Sequence, residues 1–533
     1  MTRRIPILLV KGAAALACFV LGMAFCGLEL AQAQAVAGPA IDTEQEAAHV
    51  LNRMAFGPRP GDLERVEHMG INRYIDEQLY PERIAMPADL TARLANLSLS
   101  NATAGQLQGE FRATQKMARQ DGDAGKEKRK ELLRELGEQS ADARLSLAVD
   151  SPRQLEEVLV DFWFNHFNVF AGKGIDRVLV SNYEREAIRP YVLGHFRDLL
   201  VATAHHPAML FYLDNWLSTA PGFQPQGGGQ GKASGLNENY ARELMELHTL
   251  GVDAGYSQKD VTELARILTG WTFDTKDTED QSVFRFDMRR HDWGQKVWLG
   301  YQVAPRGQSE GDWALDVLAA SPKTAHHISY QLAQYFVADN PPEALVQRMT
   351  DRYMATSGDL RAVMYVLLKS REFQIDAMNQ PKFKTPFEFV VSTLRASGLQ
   401  VTNPRPLQGV LNQLGEPLYG CQTPDGYKNT EQAWLNPDAL TRRIGFATVV
   451  ASGRLPGNAN NPGNQNRVAR VGFEGATPIY APANAPPLAP LDAGALLQTL
   501  GPVISTHTRD TIAANDPKLQ AALVLGSPDF MNR

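Results

Sequence analysis

Cysteine is almost missing from this chain: there are three in 533 residues, and two of them, Cys18 and Cys26, sit in an N-terminal apolar stretch. Cys421 on its own cannot close an intramolecular disulfide, so stability outside the cytoplasm would have to come from the core. The same scarcity excludes zinc held by a cysteine pair, and the lack of any C-x-x-C-H excludes a covalently attached c-type haem. An H-E-x-x-H zinc helix and a G-x-S-x-G nucleophile elbow are missing too. Any metal would rest on His, Asp and Glu. A charge excess is lacking as well: 53 Lys and Arg against 59 Asp and Glu leave a net charge of -6, which speaks against a nucleic-acid binder. Beyond the leader no hydrophobic run approaches membrane-spanning length. Strand alternation is scarce, apart from a short pair expected around "SVFRFD" and "KVWLGYQV".

What is present begins with a leader. Arg3 and Arg4, the apolar stretch from Ile5 to Leu28 and the patterns Ala31-Gln32-Ala33 and Ala33-Gln34-Ala35 have the layout of a secretory signal peptide over residues 1–35. An uncleaved membrane anchor is the competing reading. The protein is therefore expected to be exported, periplasmic or secreted. At 44% hydrophobic and 21% charged, the rest is ordinary globular composition. It reads as helix after helix: a mainly α, multi-helical single large globular domain with few short strands and long loops. Residues 36–452 are expected to form the helical core, 453–490 a Pro/Asn/Gly-rich linker, and 491–533 a C-terminal helical segment docking on that core. The glycine-rich stretch 221–235 reads as a loop, and the charged segment 112–147 as a solvated helical face. "LLKSREF" (367–373) is echoed by "LVLGSPDF" (523–530), which suggests two similar helix ends on the core.

"DFWFNHFNVF" (161–170) places a histidine inside an apolar run. The preceding "SPRQ" predicts a helix with Ser151 as N-cap, Pro152 at its first position and Gln154 completing a capping box. Leu155, Val158, Leu159, Phe162 and His166 then share one stripe, so His166 is expected to be buried, with Asp161 and Asn165 on a neighbouring face. A buried imidazole is either tied to a backbone carbonyl or serves as a ligand or acid/base group. In "NENYARELMELHTLG", Tyr240, Leu244, Leu247 and Leu250 form an apolar stripe and Asn239, Arg242, Glu243 and Glu246 a polar one. Gly251 is expected to stop that helix and Ser257 to cap the next. Either Arg242 is bridged by glutamates, or Glu243 and Glu246 offer oxygen ligands or an acid/base pair. In "RRHDWGQK" (289–296), His291 and Asp292 read as a base with its orienting carboxylate, or as solvated loop residues.

From "AAHVLNRMAFGPRPGDLERVEHMGINRYIDEQL" through "FWFNHFNVF", "NENYARELMELHTLGV", "DVTELARILTGWTF", "HDWGQKVWLG" and "PDGYKNTEQAWLNPDALTRRIGFA" to "GSPDFMNR", the sequence resembles the bacterial family known as domain of unknown function 1800. The resemblance covers nearly the whole mature chain. It implies an exported, largely helical protein and no agreed activity. It also implies a companion, a sulfatase-like protein of the group domain of unknown function 1501, as partner. The motif residues it carries over are Trp163, Asn165 and His166; Asn237, Glu238, Asn239, Arg242, Glu243 and Glu246; Gly270 and Trp271; His291, Asp292 and Lys296; and Lys384 with Pro386.

Two functions follow. In the first, the polar motifs converge on one cleft. There His166, Glu243, Glu246, His291 and Asp292 do acid/base work, or His166, Glu243, Glu246 and His291 hold a divalent metal, while Trp163, Asn165, Asn239, Arg242, Trp271 and Lys296 bind substrate. In the second, the motifs are structural joints and the surface serves a partner. Whether the protein is an enzyme stays open at this level.

Overall fold

The stripe Leu155, Val158, Leu159, Phe162 and His166 lies buried along the helix Gln154–His166 in the computed structural model. The structure describes residues 43–224, 235–274, 284–399, 404–453 and 489–533, with the backbone of 455–456 and 476–477. The leader, the middle of the glycine-rich loop and most of 453–490 lie outside the described residues. The core helix starts later than its Ser-Pro opening suggests. Gln154 is its first residue, and the Gln154 side chain closes no capping box. Its amide nitrogen donates to the carbonyls of Ala148 (3.0 Å) and Ser151 (2.8 Å), and its oxygen accepts from Phe56 N at 3.2 Å. Buried at this position, the amide serves three backbone groups of two other segments, a stronger demand than one helix end makes.

The fold is mainly α, as the periodicity predicts. The charged segment forms two helices, Ala104–Gln120 and Asp123–Asp150, packed as a hairpin. Leu136, Ala141 and Leu145 face inward, while Lys126, Glu127 and Lys128 are exposed. Gly125 allows the close crossing, since a Cβ there would stand 2.3 Å from the Met117 carbonyl. The strand expectation needs correction in its pairing. Phe284–Phe286 pairs with Trp271–Phe273, and Lys296–Trp298 pairs with Tyr301–Val303, both antiparallel. Leu299 (φ 48°) and Gly300 (φ 82°) make a two-residue turn with positive φ at both positions, so "KVWLGYQV" closes on itself. Among the described residues no helix is long and apolar enough to cross a membrane.

The sequence echo is a shared local structure. Ser370 Oγ accepts from Phe373 N and Ser527 Oγ from Phe530 N, each at 3.1 Å, starting the short helices Arg371–Gln374 and Pro528–Met531. Both phenylalanines are fully buried. The C-terminal residues also pair with the segment before the helix Pro386–Ser397. Lys382 N donates to Arg533 O at 3.0 Å and Arg533 N to Lys382 O at 2.8 Å. Lys384 Nζ donates to Phe530 O at 2.7 Å, and burial pushes its ammonium pKa down to about 7.

Arg53, fully buried at the end of the helix Thr43–Arg53, shows how distant chain ends are joined. Its guanidinium donates to the carbonyls of Phe336, Val337, Ala377 and Gln380 at 2.7–3.2 Å. Phe336 and Val337 close the helix Pro322–Phe336, and Ala377 and Gln380 belong to the short turn around Asp376–Asn379, so one guanidinium serves the ends of two segments. Arg53→Met is expected to lower stability by about 3 kcal/mol or more, read as a shift in the urea midpoint at unchanged slope. A shift below half a kilocalorie would show the four carbonyls to be satisfied otherwise.

Candidate active site

The core helix ends at His166, and its last turn holds another segment in place. Asn165 Nδ2 donates to Tyr427 O and Asn165 Oδ1 accepts from Tyr427 N, both at 2.7 Å. Asn168 Nδ2 donates to the carbonyls of Cys421 (3.1 Å) and Thr423 (2.8 Å), and Ala171 N donates to Tyr419 O at 3.0 Å. These bonds seat residues 415–430, a stretch without long helix, against the end of the core helix. Gly426 (φ +67°) makes the fit possible, because a Cβ there would stand 2.3 Å from the Asn165 carbonyl oxygen.

A cavity of about 310 Å³ opens at this junction. Asp161 and His166 line it from the core helix, Glu246 from the helix Asn239–Glu246, Tyr335 from the helix Pro322–Phe336, and Glu416 and Tyr427 from the clamped segment. Behind Asp161 is a charged network built on Arg144, which donates to Glu184 Oε2 through Nη1 and to Asp161 Oδ1 through Nη2 at 2.6 Å. Tyr419 Oη also donates to Glu184, at 2.9 Å. Glu184 is the first residue of a π-helical turn, Glu184–Ile188, in which Arg189 N bonds the Glu184 carbonyl five residues back. A second pair stands beside it: Tyr335 Oη donates to Glu388 Oε1 and Arg533 Nη1 donates to the same oxygen, both at 3.0 Å.

These surroundings set the protonation of the cavity wall. Burial raises the Glu416 carboxyl to about 8, with the nearby charge of Asp161 adding to it and the bond from Phe387 N (2.7 Å) opposing it. Burial likewise raises Asp161 to about 6, against the pull of Arg144. Burial, with His327 nearby, pushes His166 down to about 3, so its ring is neutral across the physiological range. His166 Nε2 lies 3.2 Å from the carbonyl of His248, and His327 Nε2 lies 3.3 Å from that of Leu247. A carbonyl only accepts, so each ring carries its proton on Nε2. The two histidines satisfy carbonyls just past the helix Asn239–Glu246, which ends at Glu246, well before Gly251. His166 is thus tied to a backbone carbonyl, and its ring also lines the cavity.

The other expected site residues part company here. His291, Asp292 and Lys296 do not line the cavity. They form a closed joint in which His291 Nε2 donates to Glu310 Oε1 at 2.9 Å and Lys296 Nζ to Glu310 Oε2 at 2.7 Å, with all three side chains fully buried. Asp292 accepts from Arg266 at 2.7 Å. Trp271 is buried against His205 and Phe284, and Trp163 against Phe162 and His166; neither faces the cavity. Arg242 is not bridged by Glu243 or Glu246: it donates to Gln258 (2.9 Å) and Glu238 (3.5 Å), while Asn239 is exposed. Glu243 stands near Glu246, and burial first, then that neighbour's charge, raises its carboxyl. The four side chains named as metal ligands are not gathered, and among the described residues no three His, Cys, Asp or Glu side chains form a set able to hold a metal ion. Reading the sequence alone missed Glu416, Asp425, Tyr427, Arg144 and Glu310. Only the Pro-Asp-Gly turn at 424–426 signals any of them.

A helical frame enclosing an aromatic, carboxyl-lined cavity defines a cleft protein with buried, proton-holding side chains. The chain belongs to the family of proteins of unknown function DUF1800, whose model matches residues 49–532. No curated protein and no solved structure matches it.

Two outcomes test this geometry. Gly426→Ala forces a left-handed backbone costing about 1–2 kcal/mol and drives a methyl into Asn165. Amide exchange in 415–430 should quicken by about tenfold or more while the core helix stays protected; uniform protection would refute the clamp. In the joint, burial alone would raise Glu310, but bonds from His291, Lys296 and Arg306 N hold its carboxyl below the ordinary 4.5. Its contribution is therefore complete above that value and fades as pH falls through the depressed one. Glu310→Gln should cost about 3–5 kcal/mol at pH 7 and flatten the acid limb of stability against pH.

Proposed function

We propose that the cavity binds a small organic ligand and carries out acid–base chemistry on it, with Glu416 as the acid. The observation that carries this reading is a carboxyl whose pKa burial lifts to about 8, lining a space of about 310 Å³. Glu416 is therefore mostly protonated at neutral pH and able to give a proton to a bound oxygen or nitrogen. Asp161, lifted only to about 6, is mostly ionised at the same pH and suits the role of base. His166, neutral and fixed through Nε2, presents a ring that can orient the ligand without adding charge. Divergent pKa values in one wall are what an acid and a base working together require.

The donor set among the described residues does not support the metal version of this site. We further propose that the protein works in the periplasm or outside the cell. The leader pattern of residues 1–35 and the single cysteine of the mature chain support that placement.

The acid role has a direct test. With ¹³C-labelled glutamate, the carboxyl signal that disappears in Glu416→Gln should titrate near pH 8 in the parent. A midpoint near 4 would remove Glu416 as an acid. On any ester, phosphate ester or glycoside that the protein turns over, Glu416→Gln should reduce kcat by about 10²–10⁴. The parent rate should fall as pH rises through about 8, because the proton is lost there.

A further inference from the structure

The charge balance of the same cavity bears on what enters it. Two cations line it, Arg144 and Lys428, and both are committed. Arg144 is shared between Glu184 and Asp161, and its guanidinium carbon lies 5.3–5.5 Å from the ring centres of Phe387, Phe164 and Tyr419. Lys428 is paired with Asp425 at 2.6 Å and its side chain is largely exposed. Four carboxyl groups line the space against them: Asp161, Glu246, Glu416 and Asp425. Asp161 has only a share of Arg144. Glu416 and Glu246 form no ion pair among the described residues, and Glu243 adds a further acid beside Glu246.

This surplus discriminates between ligand classes. An anion would meet no uncommitted cation. A bare metal ion would need converging donors, and no set of three is gathered among the described residues. A neutral ligand would leave Glu246 unpaired and Asp161 with only its share of Arg144 in a partly desolvated wall. The remaining class also suits the aromatic lining, in which three rings already surround one guanidinium of the protein itself.

We propose that the cavity is a receptor for a small organic ammonium ion, its charged head drawn to the carboxylates of Asp161 and Glu246 in the cavity wall and its apolar body against Phe162, Tyr335 and Tyr427. The proposal rests on the reading of this cavity as the ligand site and adds the class of the ligand. Glu416 keeps its proton beside the carboxylates that meet the ammonium, so the acid of the proposed chemistry is retained in the complex.

Titration calorimetry of the full chain with benzylamine, benzyl alcohol and benzoate compares one apolar body carrying three charges. Benzylammonium should bind about tenfold or more tightly than the alcohol, and benzoate more weakly than either. Glu246→Gln should weaken the ammonium about tenfold and leave the alcohol unchanged, whereas Glu416→Gln, which exchanges a protonated carboxyl for a neutral amide, should change neither much. Glu246 is partly exposed, so its variant keeps the test valid if the Glu416 variant does not fold. Equal or tighter binding of the alcohol or benzoate overturns the ammonium assignment, as does no binding by any of the three. Neither result touches the Glu416 titration, on which the acid role stands or falls separately.

Discussion

Two hydrogen bonds between the Asn165 side chain and the backbone of Tyr427, each 2.7 Å long, join the end of the core helix to a segment more than 250 residues away. The amide matches one residue's N–H and C=O together, as a neighbouring β-strand would, so it fixes both position and direction. Every cavity group contributed by residues 415–430 depends on that seat, including Glu416, Asp425 and Tyr427. Asn165 lines the cavity itself and also holds the segment that supplies much of the opposite wall. The asparagines of "FNHFN" build the wall, while the histidine between them faces the space the wall encloses.

Three carboxyl groups show how differently the chain treats charge. Glu310 receives His291 on one oxygen and Lys296 on the other, plus backbone N–H groups of Arg306 and Gly307, and so is fully provided for. Together with the ring contact between Phe286 and His291, that arrangement holds the strand Phe284–Phe286 and the loop 291–296 to the helix Gln308–Ala319. Asp161 and Glu416 are under-provided, and their raised pKa values express that shortage. A complete set of partners marks a joint. An incomplete set facing a cavity marks a place where something can bind.

The helices were legible because their signals are local. The period of Leu155, Val158, Leu159 and Phe162, the Ser257–Asp260 capping box and the serine caps before Phe373 and Phe530 all act within a few residues. The site was legible only where a motif carried it. His166 stood out as a histidine in an apolar stripe, and Glu246 as part of a polar one. Glu416 lies in "QLGEPLYG", a stretch with no periodicity, and gains its character from burial and then from the charge of Asp161, which no spacing connects to it. The expected convergence of His291 with His166 failed for a related reason. The partner of His291 is Glu310, from a helix that the sequence offered no reason to single out.

The π turn at Glu184–Ile188 has a consequence of another kind. A π turn is an α-helix carrying one residue more than regular winding accommodates, and each residue in a helix accounts for about 100° of rotation. Removing any one residue between Asp176 and Arg189 would let the helix wind regularly and swing Glu184 away from Arg144 and Tyr419. Here the chain is constrained in residue count as much as in residue type: a deletion that spares every named side chain would still take the network apart.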